Sequence, residues 1–513
     1  MAIKRYWATA DNTITNAYLE NLTIRATGSS MGASDILEVF SIYGQSATAS
    51  VSNAASSSEL SRFLIKFPVT GTNSIESDRT ATTIPASGSV NFYLRMFNAP
   101  HSQTTPRAST LSLRPITSSW QEGTGMDMFE YKDLVNNNDG SNWVQKHSGD
   151  NWTRLGGDYH TGSNYTVYLD KGTEDIEVDI THLVEEWVDG STIPDFGLGV
   201  MLTASLEASS SDNLTGSTNS YYTKKFFGRT SEYFFKRPYI EARWDSRTKD
   251  ERGNIYFSSS LMTADENINT IYFYNYFRGQ LRNVPDLGTG VVYASLFSGS
   301  SDDTEPSGDK LELHKDGTHV DDTSKTAMTG GYVSTGIYSA SFCLTSSSAA
   351  PQTYYDVWWK TTTEYHTGSF TATRLKASNY NPDPTHVTSI TNLRPEYNRR
   401  ESSSRFRLFI REKDWSPTIY TKASTAILNT TIESASFRVH RVIDNLEAIP
   451  YGTGSTLHTL LSYDVSGNYL DLDMSVLEGG YAYGLKFAYY NGAVNQWVEQ
   501  PETFKFRVED VED

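Results

Sequence analysis

Short runs of aromatic and β-branched residues, each broken by a cluster of turn formers, recur along the sequence, and this rhythm narrows the fold more than any other feature. Arg62–Phe67, Val90–Phe97, Ile271–Tyr274, Tyr354–Trp359, Arg405–Ile410 and Phe504–Val508 are typical. Several alternate in polarity, as strands with one buried and one wet face do. Helical periodicity stands out in one place, Asp179–Trp187, where Thr181 is placed to cap and Leu183, Val184 and Trp187 share a face. Composition agrees with strands. Charged residues make up 20% and hydrophobic residues 37%, while aromatics reach 13%, with 32 Tyr and 23 Phe. Thr, Ser, Asn and Gly fill much of the rest, the residues of strands and turns. The expected fold class is all-β, a tandem of β-sandwich or jelly-roll domains.

At roughly 100–200 residues per domain, 513 residues predict about three domains. The charged, apolar-free stretch Asp245–Gly253 marks one boundary, and Ser378–Thr385, carrying Pro382 and Pro384, marks a second. Residues 1–45 look too irregular for core strands and read as a docking segment. Residues 46–245 then form a first sandwich, with Ser46–Ser58 as a loop inside it. Residues 246–378 form an Ig- or jelly-roll-like sandwich and 379–513 a C-terminal one.

The balance of 43 Lys+Arg against 61 Asp+Glu, a net charge of −18, argues against nucleic acid as a partner, because phosphate neutralisation needs a basic face. No apolar run approaches the roughly 18–20 residues that span a bilayer. The start Met1–Ala8 has a basic pair, Lys4-Arg5, but no apolar stretch after it, so no secretory signal is expected there. With Cys343 as the single cysteine, no intrachain disulfide can form, which fits folding in a reducing cytoplasm. Cys343 sits in the apolar run Ala340–Leu344 and reads as a small buried hydrophobe.

No nucleophile elbow, zinc-protease helix, phosphate loop or dinucleotide fingerprint is present, and no two histidines stand four apart. Catalysis is therefore not expected, and neither is a cofactor. Sandwich loops can hold Ca²⁺ through carboxylates. Asp302, Asp303 and Glu305, the pair Asp321-Asp322, and Asp471 with Asp473 are the clusters to weigh, against solvated turns. The carboxylates around Gly157-Asp158-Tyr159-His160 are the nearest thing to a glycosidase pair, but no spacing singles them out. Trp143, Trp152, Tyr159, Tyr165 and Tyr168 crowd one polar segment, Asn142–Tyr168. Such rings either stack on sugars or pack a core or a subunit interface. The sequons at Asn21, Asn151, Asn164, Asn213 and Asn429 are what a chain rich in Thr and Asn carries by chance.

Residues 60–202 carry a recognisable order of motifs. It runs from Leu60–Phe67 through Ser112–Gly123, with Trp120-Gln121-Glu122-Gly123, to Trp152, Ile176–Thr181, Trp187 and Asp195–Val200. This resembles the DNRLRE, or disaggregatase-related, domain, a β-sandwich of cell-surface and virion proteins. Prototypes of that family repeat the domain behind a secretory signal, and neither feature is evident here. Ala10–Tyr18, Gly32–Phe40 and Trp415–Tyr420 are similar to structural proteins of tailed, and especially marine contractile-tailed, bacteriophages. The second resemblance implies a non-enzymatic virion part of the neck, tail-fibre or head surface, made in a host bacterial cytoplasm. Its partners would be other virion proteins and further copies of itself. The alternative is recognition of a host-surface glycan, as an adhesin or fibre tip does.

Overall fold

A computed structural model describes residues 2–18, 24–44, 57–101, 104–126, 140–190, 192–207, 221–263, 265–299, 305–313, 326–344, 352–375, 384–413 and 429–510. Asp302, Asp303, Asp321, Asp322, Asn21, Asn213, the motif 415–420 and most of the loop 46–58 lie outside the described residues. Strands dominate, as the recurring aromatic runs require, and the fold class is all-β with sandwich-like sheets. Among the described residues no helix is long and apolar enough to cross a membrane. The chain forms two compact units, residues 2–245 and 246–513.

In the first unit an antiparallel sheet runs in the order Ile3–Trp7, Tyr239–Trp244, Val90–Met96, Ile176–Asp179. A seven-stranded sheet carries Tyr221–Phe227, Ile36–Gly44, Ser57–Lys66, Leu198–Leu202, Ser109–Pro115 and Tyr165–Leu169, with Ala10–Thr15 also paired to Ser57–Lys66. Leu37, Phe63, Ile65, Phe92, Leu94, Phe226 and Ile240, contributed by both sheets, share one core. The expectation of an irregular segment over residues 1–45 is corrected here. Ile3–Trp7, Ala10–Thr15 and Ile36–Gly44 are strands, and Ile3, Tyr6, Ile14, Leu37, Val39 and Phe40 are buried. Polar residues masked the pattern, because Asp11, Asn12, Thr13 and Thr15 are also buried and hydrogen-bonded.

The expected helix spans Thr181–Asp189 and buries Leu183, Val184 and Trp187 in the same core, and a shorter helix, Ile75–Thr80, which the sequence reading missed, is capped by Ser74. The start of the longer helix differs from the sequence reading. Thr181 lies inside the helix and its hydroxyl accepts from the Phe92 amide at 2.9 Å, while Asp179 ends a strand and accepts from the Thr181 amide. Gly190 ends the helix at φ 67°, a left-handed conformation that glycine adopts without a Cβ penalty.

In the second unit an eight-stranded sheet built from residues 255–373 encloses Phe257, Ile271, Phe273, Leu296, Tyr338, Trp358 and Phe370. A four-stranded sheet (His386–Ile390, Ser404–Glu412, Gly467–Leu472, Ser462–Asp464), a six-stranded one centred on Tyr481–Asn491 and a two-stranded hairpin, Tyr276–Leu281, are the other sheets among the described residues of this unit. Phe406 of the former meets Phe506 of the latter at 5.7 Å. The division expected near residue 379 does not separate compact units, because the segment after Ser246 joins the sheets on either side. Thr248 and Asp250 hydrogen-bond the strand Ser462–Asp464, and two residues on Arg252 forks onto buried Asp356 at 2.5 and 2.7 Å.

Deleting residues 2–15 removes two paired strands and Arg5, so the first unit is expected to lose cooperative unfolding. The loss is comparable with a whole domain stability of about 5–15 kcal/mol. A circular-dichroism melt with limited proteolysis checks this, and an unchanged transition would count against it.

Candidate functional site

The aromatic residues singled out in Asn142–Tyr168 do not converge on an open platform. Side-chain alternation along Ser57–Lys66 sends Phe63 and Ile65 into the main core and Leu60 and Leu64 to the opposite face. There Leu60 and Leu64 join Ile14, Ile116, Trp143 and Trp152 in a second, smaller core. Trp143 is 2% and Trp152 5% exposed, so neither ring offers a face to a sugar. The Trp152 indole donates to the Asn142 carbonyl at 2.9 Å.

Tyr159 packs on this core and donates to the Gly156 carbonyl at 2.7 Å, its phenol pushed up to about 12 by burial. A Cβ at Gly199 would lie 2.0 Å from the Tyr159 ring, so glycine is required there. The Arg62 guanidinium lies 5.1 Å from Trp143 and 5.8 Å from Tyr159 and forks onto Glu207 at 3.1 and 2.6 Å. Tyr165 is half-buried against the main core, and Tyr168 is exposed.

Asp158, Asp471 and Asp473, among the carboxylates considered for catalysis or Ca²⁺, have structural duties. Asp158 accepts from the Thr153 and Arg154 amides at 3.0 Å each and from Ser118, which organises its turn. Asp471 is forked by Arg405 at 2.8 and 2.9 Å, and Asp473 caps a short 3₁₀ turn. Among the described residues no three His, Cys, Asp or Glu side chains gather to hold a metal ion. Cys343 is buried, and burial pushes its thiol up.

One charged cluster escaped the sequence reading because its members are far apart in the chain. Asp11 is fully buried; its Oδ2 accepts from the Arg229 amide at 2.5 Å, and its own amide donates to Glu122 at 2.8 Å. Glu122 grips the Arg229 guanidinium with two bonds of 2.9 Å. Asp11 Oδ1 is buried without a hydrogen-bond partner. Burial, aided by the Glu122 charge and opposed by Arg229, pushes the Asp11 carboxyl up to about 7. The sequence signal was present in the Trp120-Gln121-Glu122-Gly123 turn, but its partners could not be paired without the fold.

A cleft lies in residues 384–501. About 230 Å³ in volume, it is lined by Pro384–His386, Lys413, Tyr489–Asn491 and Val498–Pro501. His386 meets Tyr489 edge-on at 5.5 Å, and the Tyr489 hydroxyl shares a hydrogen with Thr388 at 2.6 Å. Burial pushes the His386 imidazole down, against the pull of Glu412, so the ring is neutral at physiological pH. Tyr490 is 39% exposed and packs against Trp497 across the hairpin at 5.5 Å. Glu499 is held by Arg438 at 3.0 Å, by Tyr451 at 3.1 Å and by Lys486, leaving it no free role as a general acid. Tyr490 is the exposed ring of this cleft, while the Gln500 side chain is buried and its amide donates to the Val498 carbonyl at 3.0 Å.

No family model and no curated protein matches this sequence. Among solved structures, the chain is similar to the N-terminal Ig1-2 module of the Drosophila receptor protein tyrosine phosphatase DLAR. The identity is 7%, covering 47% of this chain and 91% of that one, with a TM-score of 0.14. A likeness that slight carries no argument about function.

The Asp11 carboxyl sets a pH dependence. Its folded pKa of about 7 lies above the ordinary 3.8, so the folded unit keeps a proton that the unfolded chain releases. The resulting stabilisation is complete below the ordinary value and is lost as pH rises through about 7. Asp11→Asn is expected to abolish this slope and to raise stability above neutrality by about 2–4 kcal/mol. Urea melts across pH measure it, and an unchanged slope in the variant would refute it.

Proposed function

We propose that the protein is a non-enzymatic structural component of a tailed-phage virion, in the neck, tail fibre or head surface. In this reading it assembles through its β domains with other virion proteins and with copies of itself. The observation that carries this reading is how the chain spends its charge. Bidentate arginine–carboxylate forks brace strands and turns throughout: Arg62–Glu207, Arg79–Glu185, Arg229–Glu122, Arg243–Glu177, Arg252–Asp356 and Arg407–Asp464. Fork geometry fixes orientation as well as distance, which suits a part that must hold its shape in an assembly without disulfides. The phage-like motifs at Ala10–Tyr18 and Gly32–Phe40 support the same reading.

Surface for neighbours is available on the hairpin Tyr276–Leu281. Tyr276 is 59% and Phe277 51% exposed, and the Arg278 and Arg282 guanidiniums lie 5.3 and 5.4 Å from the Phe277 ring. Exposed aromatic and arginine side chains are what protein interfaces use most.

Mass spectrometry of purified particles, scaled to the major capsid protein, tests the proposal. A few to tens of copies per particle are expected, and absence from particles would overturn it.

The cleft lined by His386, Tyr489 and Gln500 favours a second reading, recognition of a host-surface glycan. On a glycan array, a Tyr490→Ala variant, which removes the exposed ring, is then expected to lose binding at least tenfold with its melting temperature little changed. Equal binding by the variant and the parent would remove this reading.

A further inference from the structure

Along Tyr221–Phe227 a bulge shifts the register between Tyr221 and Lys224, and Lys224 takes an inward position two residues before core residue Phe226. Lys224 is fully buried, a rare place for a lysine. Its Nζ lies 2.6 Å from Asn98 Oδ1, 2.8 Å from the Glu174 carbonyl and 3.2 Å from the Gly172 carbonyl. The Phe226 ring closes the site on another side, 4.7 Å from Nζ.

Asn98 is held as firmly as the lysine. It follows the strand Val90–Met96 and bridges to Phe226, and its amide donates to Asp175 Oδ1 at 2.7 Å. The flanking bonds from Ala99 to Lys225 and from Phe227 to Phe97 fix its backbone against the lysine strand. His101 Nε2 sits 2.7 Å from the same Asn98 Oδ1 that Lys224 approaches. An amine, a carboxamide and an imidazole thus meet at one oxygen, with the carboxylates of Glu174 and Asp175 acting on the amine.

We infer that Lys224 and Asn98 react to form an isopeptide bond that staples the two sheets of the first unit. The amine adds its lone pair to Asn98 Cγ, and negative charge gathers on Oδ1. In the tautomer that carries its proton on Nε2, His101 donates to that oxyanion, as donors aimed at a developing charge do. When the adduct collapses, the Cγ–Nδ2 bond breaks and ammonia leaves. The proton shed by Nζ ends on the departing nitrogen, which leaves as neutral ammonia. The product is a secondary amide between Cγ and Nζ, and the step is redox-neutral and needs no co-reactant.

The surroundings favour the reactive form. Burial pushes the Lys224 ammonium down to about 8, against the pull of Glu174 and Asp175, so a useful share is neutral amine near physiological pH. Burial, together with Lys224 and Lys225, also pushes His101 down, which keeps its imidazole neutral. Holding both reactants in register replaces a bimolecular encounter with an intramolecular one. The bond would span 126 positions of sequence, in a chain whose single cysteine cannot close a loop by disulfide.

Intact mass of the full-length protein under denaturing conditions, after incubation at mildly alkaline pH, tests the inference, with peptide mapping to locate the link. The folded parent is expected to be lighter than its sequence by one ammonia and to yield a branched peptide joining Asn98 to Lys224. Lys224→Arg keeps a buried cation and is expected at its full sequence mass. His101→Ala is expected to crosslink more slowly at fixed time and pH. A parent that keeps its full sequence mass would overturn the inference. So would the same ammonia loss in Lys224→Arg, which would place the loss at another amide.

Discussion

Glu241 is the residue on which the first unit most depends. Its carboxylate is wholly buried on the tightly hydrogen-bonded strand Tyr239–Trp244, with Arg5 at 2.8 Å and Arg243 at 2.7 Å. Arg243 and Arg95 both reach on to Glu177. Burial alone would raise the Glu241 carboxyl, but the three arginines overcome it and hold the group at about 2. Removing any partner of such a lattice leaves a desolvated charge, a penalty of about 3–5 kcal/mol. The lattice also explains the fold's connectivity, because Arg5, Arg95, Glu177, Glu241 and Arg243 come from all four strands of that sheet.

The second unit solves the same problem with one segment. Asp250 accepts from Tyr274, Glu251 from Tyr463, and Arg252 forks onto Asp356, which also accepts from the buried Trp358 indole. Three consecutive charged residues therefore tie sheets that would otherwise be separate sandwiches. Burial, with Glu433 adding to it, raises Glu251 to about 6, so this joint carries a carboxylate at the edge of ionisation. A chain read as a structural part needs joints of this kind, where geometry is set by directional bonds rather than by apolar contact alone.

Much of the fold was legible in the sequence, and the reasons are local. The runs Arg62–Phe67, Val90–Met96 and Phe504–Val508 announce strands through alternation, and they pair as strands. Ser61-Arg62-Phe63 and Ser404-Arg405-Phe406 look alike because each places a buried Phe beside an Arg that forks onto a carboxylate. Ala10–Thr15 was illegible for the opposite reason. Its buried polar side chains find partners at Ser141, Leu60 and Glu38, residues that no local window contains. The aromatic cluster was visible in the sequence, but whether Trp143 and Trp152 face solvent or a second core was not.

The sequence by itself determined the all-β class, the helix face of Leu183, Val184 and Trp187, and the impossibility of an intrachain disulfide. Each follows from periodicity or from a count. Tertiary structure alone decided which distant charges meet: Glu241 with Arg5, Asp11 with Arg229, and Lys224 with Asn98 and His101. Pairing of that kind depends on strand order, and strand order is set by a shared core. A local stretch of sequence encodes which residues turn inward, whereas only the closed sandwich selects what they face.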